Sequence, residues 1–162
     1  MINKFIPCLI MFAIIICGCS NNSKEKDEPV NKYVGYVVQK EEGRILVTRY
    51  DEKSDLNDAI WIRTKRKIEL GQQVSIEIDG GIETSYPAQA SAKDIDILTI
   101  ERPKSSKFGQ QEVIVMTLEH FDQIEVPFIK SIHYSDVNNV WTVVILDGIS
   151  DSKKEMEFTI EG

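Results

Sequence analysis

The stretch Gln73-Val74-Ser75-Ile76-Glu77-Ile78 alternates strictly, with Val74, Ile76 and Ile78 on one face. A period of two over six residues predicts a half-buried strand. Asp79-Gly80-Gly81 follows and is expected to turn the chain. Upstream, Tyr33 to Val38 and Arg44 to Tyr50 are β-rich runs joined by Lys40-Glu41-Glu42-Gly43, which predicts a hairpin. Asp51 to Asp58 reads as a polar loop, Ala59 to Arg63 as a short third strand, and Lys93 to Ile100 as the last strand. There Ile95 and Ile97 oppose Asp94 and Asp96. Five short strands without a helix suggest a closed barrel, since closure removes sheet edges. An OB-like barrel over 33–102 is the first expectation and an SH3-like barrel the alternative.

Gly35-Tyr36-Val37-Val38, Gly43-Arg44-Ile45-Leu46-Val47, Ala59-Ile60-Trp61-Ile62 and Gly71-Gln72-Gln73-Val74 carry a family resemblance, and Asp79-Gly80-Gly81-Ile82 with Ser85-Tyr86-Pro87-Ala88-Gln89-Ala90 carry it most specifically. Over about residues 33–100 the chain resembles the YobA-like small lipoproteins of Gram-positive bacteria, a domain of unknown function. The resemblance implies an extracytoplasmic lipoprotein with a small β-barrel. It implies no activity.

The N-terminus agrees. Met1 to Lys4 holds one cation, and Phe5 to Ile16 is apolar apart from Pro7. That is the length of a signal-peptide core and short of the ~20 residues of a spanning helix. Ile16-Cys17-Gly18-Cys19 resembles a bacterial lipobox. The resemblance implies cleavage after residue 18 and a diacylglyceryl group on the Cys19 thiol, placing the protein on the outer face of the cytoplasmic membrane. Two acyl chains suffice for stable anchoring where one does not. An ordinary secretory signal and an uncleaved anchor are the alternatives. Cys8 and Cys17 leave with the signal, so the mature body is expected to have no disulfide, thiolate metal site or cysteine nucleophile.

Of 19 basic residues Lys4 is lost, leaving 18 against 26 acids, or −8. Such a body is expected to be repelled by nucleic acid and by anionic membrane or cell-wall polymer. Nucleic acid is therefore the least favoured partner; an envelope protein or small ligand is preferred. Ser20 to Lys32 is polar and charged apart from Val30, and 19–32 reads as a lipidated cysteine plus a disordered tether.

Residues 103–162 are expected to form a small β-rich or α+β module after the charged junction Arg102 to Lys107. Gln111 to Leu118 reads as a strand, and Leu118, Phe121 and Ile124 allow a helical turn. Val126-Pro127-Phe128 reads as extended, Val140 to Leu146 as a central strand, and Glu155 to Ile160 as an alternating one. About 60 residues is marginal for an independent core, so the module is expected to pack on the barrel. A chain stopping right after a strand is compatible with a shortened form.

No catalytic constellation stands out. Glu119-His120-Phe121-Asp122 gathers carboxylates near one of two histidines, but with His133 the spacing matches no metal signature. No nucleophile elbow, P-loop or dinucleotide fingerprint is present. No metal or cofactor is expected. The candidate binding rim is Trp61, the basic cluster Arg63-Thr64-Lys65-Arg66-Lys67 with Arg63, Lys65 and Arg66 foremost, and Gly80, Gly81, Tyr86 and Gln89. Glycines allow close backbone approach, Tyr86 offers a stacking face, and Gln89 a bidentate amide. The competing reading is geometric: Gly and Pro shape turns, and the cations solvate a loop. A non-enzymatic binding module is the first functional expectation. An envelope hydrolase and a structural or inhibitory subunit of a membrane complex are the alternatives.

Overall fold

The computed structural model describes residues 32–149 and 154–162; the expected signal segment, Cys19 and the expected tether before Lys32 lie outside them. The barrel consists of β1 (Tyr33–Glu41), β2 (Arg44–Asp51), β3 (Leu56–Arg63), β4 (Gln73–Glu83) and β5 (Ala88–Leu98). They close in the order β1-β2-β3-β5-β4, with β4 returning to β1. All pairs are antiparallel except β3 with β5. This is the OB-like arrangement, and the SH3-like alternative is not realised. Val37, Val47, Ile62, Val74, Ile76 and Ile95 fill the interior, joined by Ile68 from the β3–β4 connection. Tyr33 lies among them, and its hydroxyl donates to the Asp58 carbonyl at 2.8 Å. Ile95 is fully buried while Ile97, on the same face but nearer the end of β5, is 38% exposed.

Asp79-Gly80-Gly81 does not turn the chain. Pairing jumps from Asp79↔Ser91 to Glu83↔Gln89, so four steps along β4 face two along β5. Gly80 takes φ +71° inside this bulge, a conformation glycine adopts without penalty. The hairpin reverses over residues 84–87, which include the cis Tyr86–Pro87 bond. Consequently β5 begins at Ala88 rather than Lys93, and its first residues pair in parallel with Ile60 to Arg63. Likewise β3 begins at Leu56, inside the expected loop, opposite Asp51.

The second unit contains α1 (Gln110–His120) and a sheet β6-β7-β8 formed by Pro127–Ser135, Val140–Asp147 and Glu155–Glu161. The strand expected over Gln111 to Leu118 is therefore a helix. Val113-Ile114-Val115 suggests β by local preference, but such preference yields to packing. One helical face buries Val113, Ile114, Thr117 and Leu118, and the Glu112 carboxylate accepts the Gly109 N–H at 2.7 Å at its start. β7 is central, as expected.

The two units share a core. Strands of the barrel alternate, so Ile45 and Val47 point inward while Leu46 and Thr48 point out. On β3, Ile60 and Ile62 point inward and Ala59 and Trp61 out. Leu46, Ala59 and Val38 pack with Val113, Ile114, Phe128, Ile129, Val143 and Ile145. Thr48 Oγ1 donates to the Pro127 carbonyl at 2.9 Å within this contact. The charged junction contributes as well: Ser106 is buried, and its Oγ accepts the Trp141 indole N–H at 2.8 Å. Leu46→Ala is thus expected to cost about 2–5 kcal/mol. It should lower the denaturant midpoint seen by probes in both units; a barrel transition left in place would show that the units are independent.

Candidate functional site

The outward face of β2 and β3 is where OB barrels commonly take ligands. Here the C-terminal unit covers it. Trp61 packs against the shared core, with the Arg44 guanidinium 4.4 Å from its ring centroid. Tyr86 is half-exposed, but its hydroxyl donates to the Gly148 carbonyl at 3.1 Å, which ties the β4–β5 turn to the end of β7. Burial pushes its phenol pKa upward, and Asp147 and Asp58 add to the shift. Gln89 lies opposite Trp61 in the β3–β5 register. Gly80 and Gly81 have open space beside them.

The basic cluster is different. As β3 ends, the chain crosses one end of the barrel. The Thr64 N–H donates to the Gly43 carbonyl at 3.0 Å, the Arg66 N–H to Thr64 Oγ1 at 3.1 Å, and buried Ile68 anchors the far side. Between this loop and the middle of β5 lies an open groove of about 670 Å³, lined by Gly43, residues 63–66 and residues 92–95. That volume suits a small ligand. Four cations line it, Arg63, Lys65, Arg66 and Lys93, against one acid, Asp94.

Three of the cations are held by acids. Arg63 Nη2 lies 2.7 Å from Glu83, and Arg66 Nη1 lies 3.5 Å from Asp94 while also donating to the Ile95 carbonyl. Lys93 pairs with Glu77, whose carboxylate raises the lysine pKa. Lys65 is exposed and has no ion pair among the described residues. Lys67 is 3.6 Å from Glu69 at the outer edge. Exposed pairs of this kind are worth about 0–1 kcal/mol, so an incoming anion can displace them.

The expected rim is thereby divided. Arg63, Lys65 and Arg66 meet in one groove; Trp61 and Tyr86 serve the junction between units; Gly80 and Gly81 shape a bulge. Lys93 and Asp94 complete the groove and were not among the expected residues. Their signal is the Ser91↔Arg63 pairing, which brings the middle of β5 to the basic loop.

A second cavity of about 540 Å³ lies between barrel and sheet, lined by residues that include Tyr36, Arg49, Tyr50, Asp51, Glu52, Lys53 and Lys130. Its charges are mixed, and Arg49 and Lys130 are paired with Asp58 and Glu155. The histidines do not meet. His120 packs on Phe121 and Phe158, at 4.7 and 5.0 Å between ring centroids. His133 pairs with Thr142, whereas Phe158 pairs with Val143, so the two histidines belong to opposite faces of the sheet. Among the described residues no three His, Cys, Asp or Glu side chains are grouped to hold a metal ion.

Residues 34–99 match the family described as Protein of unknown function (DUF3221). The matched stretch runs from β1 to the end of β5. No curated protein and no solved structure matches the chain.

Tyr86→Phe is expected to cost about 1 kcal/mol through the lost hydrogen bond. Gly148→Ala should cost about 1–3 kcal/mol, since its Cβ would fall 2.1 Å from the Phe128 ring. Chemical denaturation measures both. Neither change touches the groove, so amide spectra of residues 63–66 should be unaltered.

Proposed function

We propose that the protein is an extracytoplasmic lipoprotein of the YobA-like kind, held by Cys19 on the outer face of the cytoplasmic membrane. In this reading it is a non-enzymatic binding module whose ligand surface is the basic groove. The ligand is small, or a small part of something larger, and carries an anionic group.

One observation carries the binding reading. The customary OB ligand face is filled by the chain's own C-terminal unit, whereas the groove at the barrel end stays open and holds the exposed Lys65. The chemistry favours an anion. The Arg63–Glu83 and Arg66–Asp94 pairs there are exposed and exchangeable. Guanidinium groups offer planar double donation to phosphate or carboxylate. The lipid anchor is supported by Cys19 and its flanks.

Two measurements test this reading. Fractionation of the producing cells should find the wild-type chain with the membrane and Cys19→Ser released; a Cys19→Ser chain that is still processed and membrane-bound would overturn the anchor. Titration of the mature chain with the soluble phosphodiester glycerophosphoglycerol should shift the amides of Thr64, Lys65 and Arg66. Lys65→Ala should weaken that response by about fivefold, the effect of about 1 kcal/mol, without changing the unfolding midpoint. An unresponsive groove would overturn the binding site.

A further inference from the structure

The chain enters the barrel at the rim of the groove. Lys32, the first described residue, places its Nζ 2.8 Å from Asp96 Oδ2. Asp96 and Asp94 stand two residues apart on one face of β5, and Arg66 reaches Asp94 and the Ile95 carbonyl between them. Lys32, with Arg66 nearby, holds Asp96 below the usual carboxylate range, as expected for charges gathered in one small area. Twelve residues, 20–31, separate Cys19 from Lys32. Covalent geometry limits that link to about 45 Å, so an anchored barrel stays close to the bilayer surface.

We infer that the groove docks on the anionic headgroups of the bilayer that holds the Cys19 lipid, so that the barrel meets the membrane by the end carrying Arg63, Lys65, Arg66 and Lys93. The inference rests on the lipid-anchored binding reading above and names its ligand. Phosphate is the shared chemistry, and the membrane is the source.

The acidic balance of the whole chain does not oppose this. Charges separated by more than a Debye length, about 8 Å at physiological ionic strength, are largely screened, so a surface meets the bilayer with its local charge. Within that distance Glu83, Asp94 and Glu77 balance Arg63, Arg66 and Lys93 at rest and Asp96 balances Lys32, so Lys65 is the surplus cation of the groove, and the paired cations add to it as headgroup phosphates exchange with their carboxylates. Each cation near an anionic surface multiplies binding by about fivefold. The tether supplies a high effective concentration of headgroups, so a contact weak in free solution suffices.

The test uses the mature chain carrying Cys19→Ser, so that no acyl chain contributes, with a fluorophore on Thr64→Cys. Vesicles of phosphatidylglycerol in phosphatidylcholine should change the emission and pure phosphatidylcholine should not. The response should weaken in high salt and drop roughly tenfold or more with Lys65→Glu, the consequence of reversing one charge. Lys65 makes no ion pair among the described residues, so its replacement leaves the fold intact, which an unchanged unfolding midpoint verifies. Equal response to both vesicle types, or indifference to Lys65→Glu, would overturn the inference. So would an equal response to inorganic phosphate at matched concentration, which would identify a free-anion site. A chain that answers glycerophosphoglycerol but not vesicles would retain the binding reading and lose the membrane as its ligand. The anchor is judged separately by fractionation.

Discussion

The apolar outer face of β2 and β3 is the constraint on which the structure depends. Leu46 and Ala59 point away from a barrel interior already filled by Val47, Ile60 and Ile62. Left open, that face would put a continuous apolar surface in water, which a monomeric body rarely tolerates. Phe128, Val143 and Ile145 close it, with the Thr48–Pro127 hydrogen bond inside the contact. The same burial explains how about 60 residues sustain a three-stranded sheet and one helix. They do not form a core alone; they complete one that the barrel begins.

This closure decides where chemistry can occur. An OB-like barrel is usually read as a ligand platform on β2 and β3, and Trp61 on that face invites a stacking role. Its ring is instead committed to the shared core and to Arg44. The open concave surface moves to the end of the barrel, where the β3–β4 loop meets β5. There the parallel β3–β5 register convenes cations from two parts of the chain. Most of the charges there are balanced at rest by neighbouring acids.

Much of the barrel was legible because period-two alternation reports burial directly. Val74 and Ile76 face inward as their spacing implies, and the β1–β2 hairpin follows its turn residues. Gly80 reads as a turn from sequence because a glycine marks a backbone conformation, not its context. The same φ +71° serves a turn or a bulge, and the pairing of Asp79 with Ser91 chooses the bulge. The helix was hidden because β-branched residues at 113–115 satisfy a strand equally well locally. Only the shared core rewards Val113, Ile114, Thr117 and Leu118 together. Of the rim, Arg63, Lys65 and Arg66 were visible as a contiguous basic run. Lys93 was not, since its nearness to that run depends on strand pairing.

The sequence by itself carried the alternation of β4, the acidic balance and the confinement of all three cysteines to residues 8–19, because alternation, charge and residue identity are local properties. It also carried the lipobox resemblance at Ile16 to Cys19. Tertiary structure alone decided that the C-terminal unit covers β2 and β3, and that Tyr86 donates to Gly148. It alone placed Lys32 at the rim of the groove lined by Lys65 and Lys93. Those facts depend on register and on which apolar faces find each other, and neither is set by any single stretch of chain.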